Sequence, residues 1–281
     1  MKFILFVFFS LSIFSCDEKD LSKEESIQGY VYNLADFGTR YYKSVGNDKS
    51  RDWIMEKMIS FGYEATFLQS FTAIGQSCDN IISVKEGKLF SDKYIIIGAH
   101  YDTISEKPDE KAPGANDNGS GVAVLLDLAK RLKNVETDYS IKFIFWDAEE
   151  PGLYGSRYYV NDAKSKNESI VFYFNMDEIG GNSLSSNVID CEEDKANVAS
   201  QNLNKKVIHF MKQAGLSTIS TDIDASDYIP FKQAGYTALG IYEDPTTPHY
   251  HRSTDEGKYV NFEYLGKVAE GVYNFILEEA K

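Results

Sequence analysis

A chain of 281 residues, 43% hydrophobic and 14% aromatic, is long enough to bury a large core, and α/β domains often run to this length as one unit. Its formal net charge of −14 argues against a nucleic-acid partner, whose phosphate backbone demands a basic face. No apolar run reaches the ~18 residues that a membrane-spanning helix needs.

The N-terminus reads as a targeting segment. Lys2 precedes an apolar run from Phe3 to Phe14, and Ser15-Cys16 then gives way to charged residues. Ile13-Phe14-Ser15-Cys16 resembles a bacterial lipobox, loosened by the bulky Phe14. The resemblance implies a signal peptide over 1–15, cleavage before Cys16, and acyl chains on Cys16 with a tether over 16–25. The protein is then expected to be exported and lipid-anchored to a bacterial membrane through Cys16 alone, facing the periplasm or the cell exterior. An ordinary secretory signal is the alternative.

Ser22-Lys-Glu-Glu25 has a capping-box pattern, and Ile27, Val31 and Leu34 follow at helical spacing up to Gly38. A second helix is predicted over 50–61, with Ile54, Met58 and Phe61 on one face. Residues 63–71 and 80–84 read as strands, and Glu86-Gly87 turns the chain towards the apolar strand Tyr94-Ile95-Ile96-Ile97 that ends at His100. This opening reads as two helices and a β-meander. A helix over 122–132 leads to a strand over 140–147, a helix over 156–163 and a strand over 170–175. The last third reads as a helix over 201–214, a short helical piece after Ser226, a strand over 236–242, a loop over 248–255 and a long amphipathic helix from Phe262. His209, inside the 201–214 helix, is read as a packing or surface residue. The pattern predicts an α/β fold, a three-layer α/β/α sandwich with a mixed, mostly parallel central sheet. Whether Cys78 and Cys191 pair is left open.

Three of these apolar strands end in reactive side chains. They empty into His100-Tyr-Asp102, into Asp147-Ala-Glu149-Glu150 and into Met176-Asp177-Glu178. A single acidic strand end is commonly a solvated turn, but three in succession with an imidazole among them point to one mouth of the sheet. His100 and Asp102, followed by Asp117 at a helix inlet, are the raw material of a zinc site: an imidazole ligand, a carboxylate to orient it and a further carboxylate ligand. Glu149 and Glu150 are neighbours, so one can face a metal while the other reaches a water.

Gly98-Ala-His-Tyr-Asp102, Pro113-Gly-Ala-Asn-Asp-Asn-Gly-Ser-Gly121, Phe145-Trp-Asp-Ala-Glu-Glu150 with Gly155-Ser156, Asn175-Met-Asp-Glu-Ile-Gly180, Ser226-Asp227 with Pro230-Phe231, and Tyr250-His251 with Asp255 occur in this order. Together with Phe37-Gly-Thr-Arg40, they resemble the M28 family of co-catalytic zinc aminopeptidases over about residues 37–255. The resemblance implies a single zinc-exopeptidase domain over 26–281, of the phosphorylase/hydrolase-like type. It also implies two Zn2+ ions per chain and hydrolysis of the N-terminal bond of a peptide with a free N-terminus. Asp117 would bridge the metals, Glu150 and His251 would hold one, and His100 and Asp177 the other. Glu149 matches the general base and Asp102 the acid that holds the His100 ring. The Asp117–Asn118 peptide bond is expected to be cis. Tyr250 is a candidate donor to the oxyanion, with aromatic packing as its other reading. His251 is preferred to His249 because its spacing to Asp255 fits the family. Tyr228 departs from the pattern, standing where a histidine is usual after Ser226-Asp227.

Two other functions stay in view. Glutaminyl cyclases share this fold, but tend to carry an insertion with tryptophan after the paired glutamates and a tryptophan before the last histidine. Here only Pro151-Gly152-Leu153 follows Glu150, and Tyr250 precedes His251. An inactive lipid-anchored binding protein would lack a ligand or the base, and none is missing.

Overall fold

The computed structural model describes residues 25–181, 187–244 and 247–281. The expected leader, the lipid-bearing Cys16 and Ser22 of the capping box lie outside these residues. The first helix, α1 (Ile27–Ala35), takes its N-cap from Ser26, whose hydroxyl accepts from the Gly29 N–H at 3.1 Å. Ser44 caps α2 (Val45–Ser60), which begins one turn earlier than its apolar spacing indicates because that first turn is polar.

β1 (Thr66–Ala73) and β2 (Gln76–Lys85) form a hairpin closed by Ile74 and Gly75, both at positive φ. There the expected meander ends. β2 pairs with β4 (Tyr139–Trp146), and β3 (Phe90–His100) lies beyond it, parallel to β4. Ile95, Ile96 and Ile97 of β3 are fully buried, and a run apolar on both faces belongs inside a sheet covered on both sides. The chain crosses from β3 to β4 through α3 (Gly119–Leu132). α4 (Tyr154–Ser165), β5 (Ser169–Met176), β6 (Val188–Glu193), α5 (Val198–Gln213), β7 (Ser217–Ile219), α6 (Tyr228–Ala234), β8 (Ala238–Glu243) and α7 (Phe262–Glu279) follow.

The sheet has eight strands in the order β1-β2-β4-β3-β5-β8-β6-β7. Its centre, β4-β3-β5-β8, is parallel, while β1, β2 and β6 run antiparallel to a neighbour. Alternate residues divide the core. Ile95, Ile97, Phe143 and Phe174 pack with α1, α2, α3, α5 and α7, whereas Ile96, Ile144, Trp146 and Tyr173 pack with α4 and α6. This is the predicted three-layer sandwich. β6 and β7 were not among the predicted strands. Cys78 on β2 and Cys191 on β6 are separate, buried free thiols. Among the described residues, no helix is long and apolar enough to cross a membrane.

Candidate metal centre

Because the four central strands run parallel, their carboxyl ends share one edge. His100 ends β3 opposite Trp146, the last residue of β4, and Asp177 follows the end of β5. Asp117 sits just before α3. The Asp117–Asn118 peptide bond is cis, as expected, and Asn118 caps α3 through the Gly121 N–H while donating to the Met176 carbonyl at 2.9 Å. A β-carbon at Gly121 would collide with both the Asn118 side chain and that carbonyl.

Five predicted donors meet here. His100 Nε2 lies 3.4 Å from Asp117 Oδ1 and 3.2 Å from Asp177 Oδ1. His251 Nε2 lies 3.2 Å from Asp117 Oδ2 and 3.1 Å from Glu150 Oε2. Asp117 therefore offers one oxygen to each imidazole. Donors held by tetrahedral zinc at about 2.0–2.2 Å stand about 3.4 Å apart, close to these separations. Glu150 Oε1 is buried without a hydrogen-bond partner among the described residues. The orphan oxygen, the spacing and the mixed imidazole and carboxylate chemistry all fit zinc. Glu149 joins His100 and Glu150 in a third cluster of potential donors.

Surrounding groups fix these side chains. His100 Nδ1 lies 3.2 Å from the backbone carbonyl of Asp102, which can only accept; that bond puts the ring proton on Nδ1 and aims the Nε2 lone pair at Asp117 and Asp177. The Asp102 carboxylate is 3.6 Å from the ring nitrogen and is engaged instead by the N–H groups of Glu149 (3.0 Å) and Glu150 (3.3 Å). Asp102 thus holds the paired glutamates as well as the histidine. The Asp255 carboxylate accepts the N–H groups of Asn116 (3.0 and 3.1 Å) and Asp117 (2.9 Å). A relay buried at its start and half-buried at Ser226, each group donating to the next, runs from the Trp146 indole to Tyr173, Asn175, Ser226 and finally Asp177 Oδ2. Arg40, fully buried, donates to the carbonyls of Leu34, Tyr101, Pro113 and Gly114 and pins the loop that delivers Asp117. The positioning roles of Asp255, Ser226 and Arg40 went unread in the sequence, although all three lie in the motifs quoted above.

Tyr250 stacks on the His251 ring, centroids 3.7 Å apart, with its own ring 40% exposed at the cleft. His249 stacks on Tyr259 and shares a 2.8 Å hydrogen bond with Thr254, apart from the donors. His209 is exposed on α5. Of seven non-glycine residues with positive φ among the described residues, Ala148, Leu153, Glu178, Ser226 and His251 stand at this mouth. Strained backbone of this kind gathers at functional sites.

The protein groups alone make an electrostatically frustrated cluster. Burial, then the charge of Asp117, push Glu150 up to about 8 against the His251 hydrogen bond. Burial lifts Glu149 well above the ordinary carboxylate range. At His251 desolvation opposes the charged ring, but Asp117 and Glu150 outweigh it and raise the imidazole to about 10. Desolvation likewise pushes Asp117 up, yet His100 and His251 prevail and hold it below its usual value. A bound dication would supply the positive charge that these carboxylates otherwise draw from protons. The donors open onto a cleft of about 480 Å3.

Fold and site together define an α/β protein with a candidate two-metal centre at the carboxyl ends of its parallel strands. A model of peptidase family M28 matches residues 80–276, and the chain belongs to that family. Aminopeptidase YwaD of Bacillus subtilis is 34% identical over 236 residues, covering 78% of this chain and 49% of the relative. A solved structure described as a zinc aminopeptidase from Bacillus subtilis aligns with a TM-score of 0.65 and 29% identity, over 74% of this chain and 51% of its own. This chain therefore spans about half the length of each. A glutaminyl cyclase from Bacteroides thetaiotaomicron, solved with N-acetylhistamine, aligns with a TM-score of 0.76 at 24% identity over 90% of this chain and 97% of its own; that likeness concerns the fold alone.

Proposed function

We propose that the protein is a two-zinc aminopeptidase that removes the N-terminal residue of peptides. The observation that carries this reading is the division of the Asp117 carboxylate, Oδ1 towards His100 and Oδ2 towards His251. Asp117, Glu150 and His251 would hold one ion, and Asp117, His100 and Asp177 the other. When bound, zinc supplies a Lewis acid that polarises the scissile carbonyl and yields a water nucleophile near neutral pH. Glu149 takes the proton of the attacking water and returns it to the departing amine. Its placement is set by the grip of Asp102 on its backbone N–H. In this reading Tyr250, stacked on His251 at the cleft, donates to the oxygen that becomes negative. Asp102, Asp255 and Ser226 touch no substrate in this scheme and act by positioning.

In the same reading residues 1–15 are a signal peptide, Cys16 carries lipid, and the domain over 26–281 works outside the cytoplasm on a bacterial membrane. Lys2, the apolar run to Phe14 and Ser15-Cys16 support this. Mass analysis of the membrane-extracted protein tests it, and an unmodified Met1 would refute it.

The test of activity is hydrolysis of aminoacyl-p-nitroanilides by the zinc-loaded full-length chain. Turnover is expected, with loss on chelation. Glu149→Gln is expected to lower kcat about 10²- to 10⁴-fold with metal still bound. Cyclisation of N-terminal glutamine without anilide hydrolysis would transfer the site to the cyclase reading.

A further inference from the structure

Past the zinc donors, the cleft continues onto a wall of carboxylates and tyrosines that the scheme above leaves unused. Glu178, beside Asp177, is 3% exposed. Its Oε1 accepts from the Tyr242 hydroxyl at 2.7 Å, whereas Oε2 is buried without a partner among the described residues. Glu192 enters the same cleft from β6, accepting from the Tyr228 hydroxyl at 2.5 Å, and Asp224 joins it from an exposed loop. Tyr228 is the residue that departs from the family pattern, and here its hydroxyl fixes one oxygen of Glu192.

The charge balance makes this wall unusual. Among the described residues, seven carboxylates line the cleft and no lysine or arginine does. Two dications would offset four, the three zinc-facing acids and Glu149, leaving Glu178, Glu192 and Asp224 as acids that a bound cation would hold ionised; without one, burial raises Glu192 to about 8. Carboxylates held by phenol donors and bordered by aromatic rings match an organic cation. Distance sorts the corners. Glu178 adjoins a zinc donor. Glu192 pairs with Gly240, which pairs with Asn175, so its backbone lies two strand spacings from β5, or ~10 Å. Only a long side chain carries a charge that far from a scissile bond at the zinc donors.

We infer that this wall is a cation-binding subsite that selects substrates with lysine or arginine at the N-terminus. Glu178 takes the α-ammonium, and Glu192 with Asp224 takes the side-chain charge. The inference rests on the aminopeptidase reading and adds its substrate class.

The test compares lysyl- and arginyl-p-nitroanilides with their uncharged shape matches, the norleucyl and citrullyl compounds, on the zinc-loaded full-length chain. One charge-assisted hydrogen bond predicts a kcat/KM ratio of about tenfold or more in favour of each charged member. Glu192→Gln lowers the lysine-to-norleucine ratio about tenfold, and Asp224→Asn, on an exposed loop, about threefold. Because the ratio is taken within each variant, a general loss of turnover does not imitate the effect. Norleucine turnover with a ratio at or below one, or an unchanged ratio in both variants, overturns the subsite and leaves the aminopeptidase standing. Absence of turnover on all four compounds with zinc bound overturns both.

Discussion

Asp255→Asn separates positioning of the metal centre from stability of the fold. The Asp255 carboxylate is 3% exposed and accepts three contacts from two backbone N–H groups, including that of Asp117. An amide keeps one acceptor oxygen but turns an NH2 towards a donor. A charge-assisted bond of about 1.5–3 kcal/mol is lost and another falls to the neutral strength of about 1 kcal/mol. Against that, burial pushes Asp255 up to about 7, so the native carboxylate carries a desolvation cost that the amide does not. These effects largely cancel in global stability, and a change within about 1–2 kcal/mol is expected. They do not cancel at Asp117, whose backbone loses its anchor. Zinc affinity is expected to fall about 10- to 100-fold, or about 1.4–2.7 kcal/mol. Competition with a fluorescent chelator reads the affinity, and urea unfolding with zinc removed reads the stability. A variant that binds zinc like the wild type would show that Asp255 does not position the centre.

The other predictions concern the relay, the charge and the base. Ser226→Ala removes the last donor to Asp177 Oδ2, and zinc affinity is expected to drop about tenfold while Glu149 chemistry keeps its pH profile; an unaltered affinity refutes the relay. In chelated protein Glu150, Glu192 and Glu243 each sit near 8, raised first by burial. Folding then binds protons between the unfolded carboxylate range and about pH 8, so stability is present at low pH and declines as pH rises through that window. Saturating zinc is expected to flatten the decline, and chelated protein that gains stability from pH 5 to 8 contradicts the assignment. For Glu149→Gln, a loss of metal along with activity would mean that Glu149 is a ligand and not the base.

Much of this centre was legible in the primary structure because its residues cluster at strand ends. His100, Glu149, Glu150 and Asp177 each follow a short run of apolar residues that reads as a buried strand, and parallel strands bring such ends together. The supporting groups were less visible. The spacing of Asp255 from His251 fits the family pattern, yet its partners are backbone N–H groups 138 and 139 residues away. Among the described residues the Arg40 guanidinium donates to backbone carbonyls, which every residue carries, so nothing in its neighbours' identities announces it. β6 escaped because Val188-Ile-Asp-Cys-Glu-Glu193 buries three of its polar or thiol side chains among partners from distant segments, which obscures the alternation of a strand. Sheet order escaped for a different reason. Hairpin signals connect neighbours in sequence, whereas the place of β3 beyond β4 is set by a crossover through α3.

The central claim is that Asp117 stands between two zinc ions, and anomalous diffraction at the zinc edge from crystals of the zinc-loaded protein tests it directly. Two peaks about 3.5–4 Å apart are expected, one among Asp117, His100 and Asp177 and the other among Asp117, Glu150 and His251. A single peak at full zinc occupancy, or zinc bound away from Asp117, would contradict it.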